Sequence, residues 1–193
     1  MKTQLSIFIL CAILLFSSCS VLEQAQNIQR FTECEFSLDN IRIVEIGGIK
    51  VSTLKSPDDI GFLGMMSLTN QLINGSLPAR ISIELKASNN NSSMASMAGM
   101  EWKILMKEED FLAGEINNII EVQPYSSTVF PVHVDLDILQ LFQSETLPQL
   151  LNFVFSDNKA EELKNMGVGV QIKPYYRVGS VIQKYPGYLN IDF

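Results

Sequence analysis

The chain contains a single histidine, His133, and no Gly-x-Ser-x-Gly, His-Glu-x-x-His or phosphate-cradling glycine motif anywhere in its 193 residues. Nucleophilic, metal-dependent and phosphate-handling sites of those kinds are not written in it. Cysteine is scarce too, with only Cys11, Cys19 and Cys34. Basic residues are outnumbered, 14 Lys and Arg against 21 Asp and Glu, for a net charge of −7. No basic run exists to neutralise phosphates, which excludes nucleic acid as a partner. No segment has the roughly 20 apolar residues that a membrane-spanning helix requires. The sequence reads as a non-enzyme that uses no cofactor.

What is present begins at the N-terminus. Lys2 precedes an apolar run from Leu5 to Phe16, followed by Ser17, Ser18 and Cys19, which is the order of an export signal. "FSSC" at residues 16–19 resembles a bacterial lipobox. That resemblance implies that residues 1–18 are a lipoprotein signal peptide, cut away to leave Cys19 as a lipidated first residue. Each buried acyl CH₂ contributes about 0.8 kcal/mol, so several chains on one cysteine anchor a protein durably. Cleavage removes Lys2 and no acidic residue, taking the net charge from −7 to −8. Of the two cysteines that survive, acylation occupies one, so no intramolecular disulfide is expected. Ser20 stands where many proteobacterial inner-membrane lipoproteins carry aspartate, and this points to the outer membrane of a bacterial cell envelope.

Residues 19–32 are polar and Gln-rich and read as a tether, while 33–193 form a single domain long enough to hold itself together by burial. Period-two alternation dominates that domain. Cys34, Phe36 and Leu38 share one face, and Ile41, Ile43 and Ile46 follow after an interruption at Asp39-Asn40. Gly47-Gly48 reads as a two-residue hairpin turn. Ser56, Pro57, Asp58 and Asp59 start a helix that Gly75 and Pro78 end. Further strands place Ile81, Ile83 and Leu85, then Met100, Trp102, Ile104 and Met106, then Phe130, Val132, Val134 and Leu136 inward, with Pro131 outward, which suits an edge or a bulge. "SNNNSSMASMAG" is a loop by composition, and "FLAGEINNIIEVQP" carries one or two short strands. A second helical stretch covers 137–155, broken near Pro148, a shorter one covers 158–167, and two strands finish the chain. Seven or eight short strands without a βαβ rhythm predict a mainly β fold. The expected arrangement is an immunoglobulin-like or fibronectin-like antiparallel β-sandwich with one or two short helical excursions capping an end.

The order of these elements resembles the type 2 late embryogenesis abundant family (the WHy domain) and its bacterial lipoprotein relatives. The resemblance is carried by "FSLDNIRIVEIGGIKV", "ISIELKASNNN", "MEWKILM", "SSTVFPVHVDL" and "YPGYLNIDF", and spans Glu33 to Phe193. The family usually has Asn-Pro-Asn where this chain has Asn89-Asn90-Asn91, so a looser turn is expected there. What the resemblance implies is a sandwich without enzymatic chemistry, concerned with stress protection or binding. It transfers no catalytic residue.

Five groups of side chains remain to be weighed. Met94, Met97 and Met100 recur every third residue, a spacing at which thioethers collect Cu(I), although the same residues also suit a core strand and the gaps above it. His133, Asp135 and Asp137 share the outward face of one strand, but at about 3.4 Å per residue they are strung over roughly 13 Å and cannot converge on one ion. Cys34 alternates with core residues and is read as buried, and Glu108, Glu109 and Asp110 as a solvated tip. The segment 138–155 is too apolar for a free surface helix. It either plugs the domain or presents Leu141, Phe142, Leu150, Leu151 and Phe155 to a lipid or protein partner. The resulting expectation is a membrane-anchored binding or protective module, with a carrier for an apolar ligand as the alternative.

Overall fold

The computed structural model describes residue 31 and residues 33–142, 145–178 and 181–192. Strand β1 (Glu35–Ile46) shows how an uneven apolar pattern is accommodated. Its inward residues change parity twice, from Phe36 to Ile41 and Ile43, and then to Ile46. The ladder to β3 (Pro78–Asn89) shifts register between Leu38 and Asn40 and again between Ile43 and Glu45. Each extra residue is a bulge that re-aims the side chains that follow it, so Ile41, Ile43 and Ile46 all still reach the core.

Gly47 and Gly48, with φ of 55° and 82°, make the tight turn into β2 (Ile49–Lys50), and β8 (Ser126–Asp137) lies on the other edge of β3. These four strands form one antiparallel sheet in the order β2-β1-β3-β8. Pro131 sits outward on the edge strand β8, where its missing N–H costs no ladder bond to β3. A second antiparallel sheet runs β6-β5-β9, from β5 (Gly99–Met106), β6 (Glu109–Ile116) and β9 (Val168–Val178). The far edge of β9 is shared by β11 (Leu189–Ile191) and β10 (Val181–Lys184). Pro174 occupies the gap in β9 where one partner gives way to the other, a position that demands no N–H.

Two short strands correct the sequence reading. Ala95–Met97, expected in a loop, is β4 and pairs with β7 (Ile120–Val122). A strand of three residues is too short to show alternation. β10 gives no alternation either, because all four of its side chains are exposed. The Asn turn also differs from expectation. Asn89 is buried, its amide donates to the carbonyls of Ser93, Val122 and Gln123, and its Oδ1 accepts the Asn91 N–H at 3.0 Å. A buried, saturated amide holds this turn in place of proline's fixed φ.

The two large sheets share one core. Ile41, Ile83 and Val134 from the first sheet and Ile104 and Val170 from the second line a common, partly enclosed apolar cavity. The Leu38 N–H crosses to the Asp192 carbonyl at 2.8 Å and ties β1 to the end of β11. The helices follow their start signals. Ser56 and a 3-10 turn at Pro57–Ile60 lead into α1 (Gly61–Ile73), with the Asp59 carboxylate accepting the Ser56 N–H at 3.1 Å. The second stretch is a 3-10 turn at Ile138–Gln140 followed by α2 (Leu147–Phe155). Pro148 lies in the first turn of α2, so it opens that helix where the sequence suggested a break within one. The last helix, α3 (Lys159–Asn165), packs on β1 and β9.

Candidate functional site

Cys19, residues 1–18 expected as a signal peptide and, of the stretch 19–32 read as a tether, all but Phe31 lie outside the described residues. Phe31 itself is 1% exposed, and its ring meets that of Phe36 at 5.2 Å, so the core already includes the end of the stretch read as a tether. Of the methionines, Met97 on β4 and Met100 on β5 are buried, while Met94 is half-buried and its sulfur accepts a hydrogen bond from Gln123. Two of the three candidate copper ligands thus take part in the core.

The segment 138–155 divides. Leu150 and Leu151 are buried along with Ile138, Leu147, Phe153 and Val154. Leu141, Phe142 and Phe155 are partly buried, and the Phe142 ring packs on Phe153 at 4.7 Å between centroids. Leu141 and Leu163 of α3 also line the shared apolar cavity, whose volume is about 30 Å³. That is room for about one water and offers it no polar partner.

On β8, His133 is exposed, and its neighbouring carboxylates have other work. Asp135 receives the Arg80 Nε–H at 2.9 Å. Asp137 accepts the N–H groups of Leu77 and Leu139 at 3.0 and 3.1 Å. Partial burial opposes the Asp137 charge, but these amides and the Ser76 hydroxyl outweigh it and hold the carboxyl below its usual range. Cys34 is buried, and burial followed by the charge of Glu33 pushes its thiol up to about 11. It carries almost no thiolate at neutral pH.

Among the described residues, α1 carries a group of exposed large apolar side chains, outside the segment 138–155. Phe62, Leu63, Met66 and Ile73 are 77%, 80%, 49% and 77% exposed. At about 100° per residue, Phe62, Met66 and Ile73 fall within one narrow arc of the helix and Leu63 borders it. Leu68, fully buried, faces the opposite way. The inward side of α1 is fixed at two places. A Cβ on Gly64 would stand 3.1 Å from Ile49 of β2, and Gln71 donates from its Nε2 to the Gly47 carbonyl at 2.9 Å. No charged residue occurs from Ile60 to Ala79, a stretch set within an otherwise acidic chain. The signal that could have found this face was the apolar excess of "GFLGMMSLTNQLI": one helix in contact with one body needs only one apolar side.

The outer face of the second sheet carries a polar cluster with no sequence motif. Glu101 on β5 receives the hydroxyls of Tyr175 and Tyr188 at 3.1 and 3.0 Å and pairs with Lys184 of β10. The Lys184 hydrogen bond, helped by both tyrosines, lowers the Glu101 carboxyl to about 2. Burial, then the bond to Glu101, raises the Tyr175 hydroxyl to about 12. The Nζ atoms of Lys103 and Lys173 lie 4.8 and 5.3 Å from the centroid of the Tyr188 ring. A carboxylate saturated in this way is a poor base, and the cluster serves to join β5, β9 and β10.

Among the described residues, no helix is long and apolar enough to cross a membrane. No protein-family model matches the chain, and no curated protein matches it significantly. Three solved structures show limited likeness. The crystal structure of a protein from Archaeoglobus fulgidus is 18% identical, covers 60% of this chain and 84% of its own, and has a TM-score of 0.33. The X-ray structure of Northeast Structural Genomics Consortium target SoR45 is 8% identical, covers 84% and 89%, and has a TM-score of 0.36. The solution structure of AT1g01470 from Arabidopsis thaliana is 10% identical, covers 82% of each chain, and has a TM-score of 0.33. Scores of this size assign neither a fold family nor a function.

Proposed function

We propose that this chain is a lipid-anchored protein of the bacterial cell envelope, held through Cys19 on the outer membrane, and that its β domain is a non-catalytic binding or stress-protective module. In this reading the two large sheets form an immunoglobulin-like or fibronectin-like sandwich of the late embryogenesis abundant type, with the helices at one end. The observation that carries the binding role is the α1 face, where four large apolar side chains stand in solvent on a helix without charge. Large contiguous apolar exposure marks interaction surfaces.

The alternative, a carrier for an apolar ligand, is supported by the partly enclosed cavity beside Leu141, but ligand pockets are about tenfold larger or more. An environment-sensitive dye combined with native mass spectrometry separates the two. For the binding module, dye fluorescence drops when Phe62, Leu63, Met66 and Ile73 are changed to Ser, and the native mass carries no ligand inside the domain. Unchanged fluorescence together with a lipid retained in the native mass would favour the carrier.

A further inference from the structure

The position of α1 relative to the anchor end of the domain suggests what covers its apolar face. β1 begins beside Phe31, where the chain arrives from Cys19, and ends at the Gly47-Gly48 turn on which α1 rests. Twelve strand residues put these two ends roughly 36–40 Å apart. The twelve Cα–Cα steps from Cys19 to Phe31 span at most about 43 Å when extended. A domain standing on its anchor would hold α1 away from the bilayer, whereas a domain lying along it brings the anchor and α1 to the same surface within the reach of the tether.

We infer that the Phe62, Leu63, Met66 and Ile73 face of α1 inserts shallowly into the bilayer that holds Cys19, so that the domain lies along the membrane on two contacts. This rests on the lipid-anchor reading above. The chemistry of the helix fits lipid. Its 13 residues carry no charge to desolvate, and along its length of about 20 Å it presents Phe62, Leu63 and Met66 toward one end and Ile73 at the other, with the uncharged Thr69 and Asn70 exposed between them. A second protein would have to find a strip this small in solution, whereas an anchored chain meets the bilayer at an effective concentration in the millimolar range. Asp58 and Asp59 precede the helix and no cation lies within it, so the preferred surface is zwitterionic and its binding responds little to salt.

The test uses the full chain, purified from its membrane and reconstituted in phosphatidylcholine vesicles with brominated acyl chains. Phe62→Trp places an indole reporter on the strip, and the signal of Trp102, 7% exposed in the core, is subtracted with the wild type. The expected result is loss of about half of the reporter emission to the brominated lipid, with aqueous iodide quenching it little. If the chain co-sediments with the vesicles and the reporter is quenched by iodide alone, or by neither quencher, insertion is overturned while the anchor stands. If the chain neither co-sediments nor carries an acyl mass, the anchor reading and the insertion fall together. Phe62→Asp with Ile73→Asp should keep the anchored chain on the vesicles while removing protection of residues 61–73 in hydrogen exchange. Unchanged protection would contradict insertion.

Discussion

Gln71 donates a hydrogen bond to the Gly47 carbonyl, and the same turn residue receives the Leu68 side chain. This link between a helix and a two-residue hairpin turn decides which side of α1 is left in solvent. A Cβ on Gly47 would stand 2.6 Å from Leu68 Cδ2, and the residue has a φ of 55°. Gly47→Ala therefore meets both left-handed strain and overpacking, and should cost about 2–4 kcal/mol in urea unfolding. The dye and vesicle responses of α1 should change with it.

The second hairpin turn runs the other way. Lys107 and Glu108 have φ of 52° and 70°, the left-handed conformations of a type I′ turn, without glycine or asparagine. Replacing them with Asn-Gly should stabilise the domain by about 1 kcal/mol, seen as a higher urea midpoint with an unchanged slope.

Leu151 distinguishes a docked α2 from a ligand-binding one. It is 2% exposed, so Leu151→Ala should cost about 2–5 kcal/mol and leave dye binding at α1 intact. A neutral substitution would mean that α2 is not packed as described.

The Glu101 cluster predicts acid sensitivity of a definite sign. Its folded carboxyl, at about 2, lies below the ordinary 4.5, so its contribution is complete above pH 4.5 and is lost as the pH falls toward 2. Glu101→Gln should therefore lower the urea midpoint at pH 6, with a smaller difference at pH 2.5. An equal difference at both values would remove the charged hydrogen bonds as the cause.

The fold was legible wherever burial imposed a period. The inward sets Ile81, Ile83, Leu85 and Phe130, Val132, Val134 and the Gly47-Gly48 turn follow directly from alternation and turn chemistry. The parity changes in β1 were visible as an interruption at Asp39-Asn40, and the structure turns them into bulges. β4 and β10 escaped because three residues are too few for alternation to mark a strand and four exposed ones have no reason to alternate. The apolar segments divide for a related reason. Apolar content marked 138–155 as a plug or a partner surface, and Leu150 and Leu151 enter the core, whereas Phe62 and Leu63, which the sequence did not single out, are left outside by a helix held from its other side. The Glu101 cluster could not be read at all, since Glu101, Tyr175, Lys184 and Tyr188 come together only when β5, β9 and β10 align.

Insertion of α1 into the bilayer depends on attachment at Cys19. The intact mass of the protein extracted from its native membrane tests this most directly. The expected result is a chain that begins at Cys19 and carries acyl groups there, and a Cys19→Ser chain that is neither acylated nor retained by the membrane. A native chain that keeps residues 1–18, or a Cys19→Ser chain still acylated and membrane-bound, would contradict it.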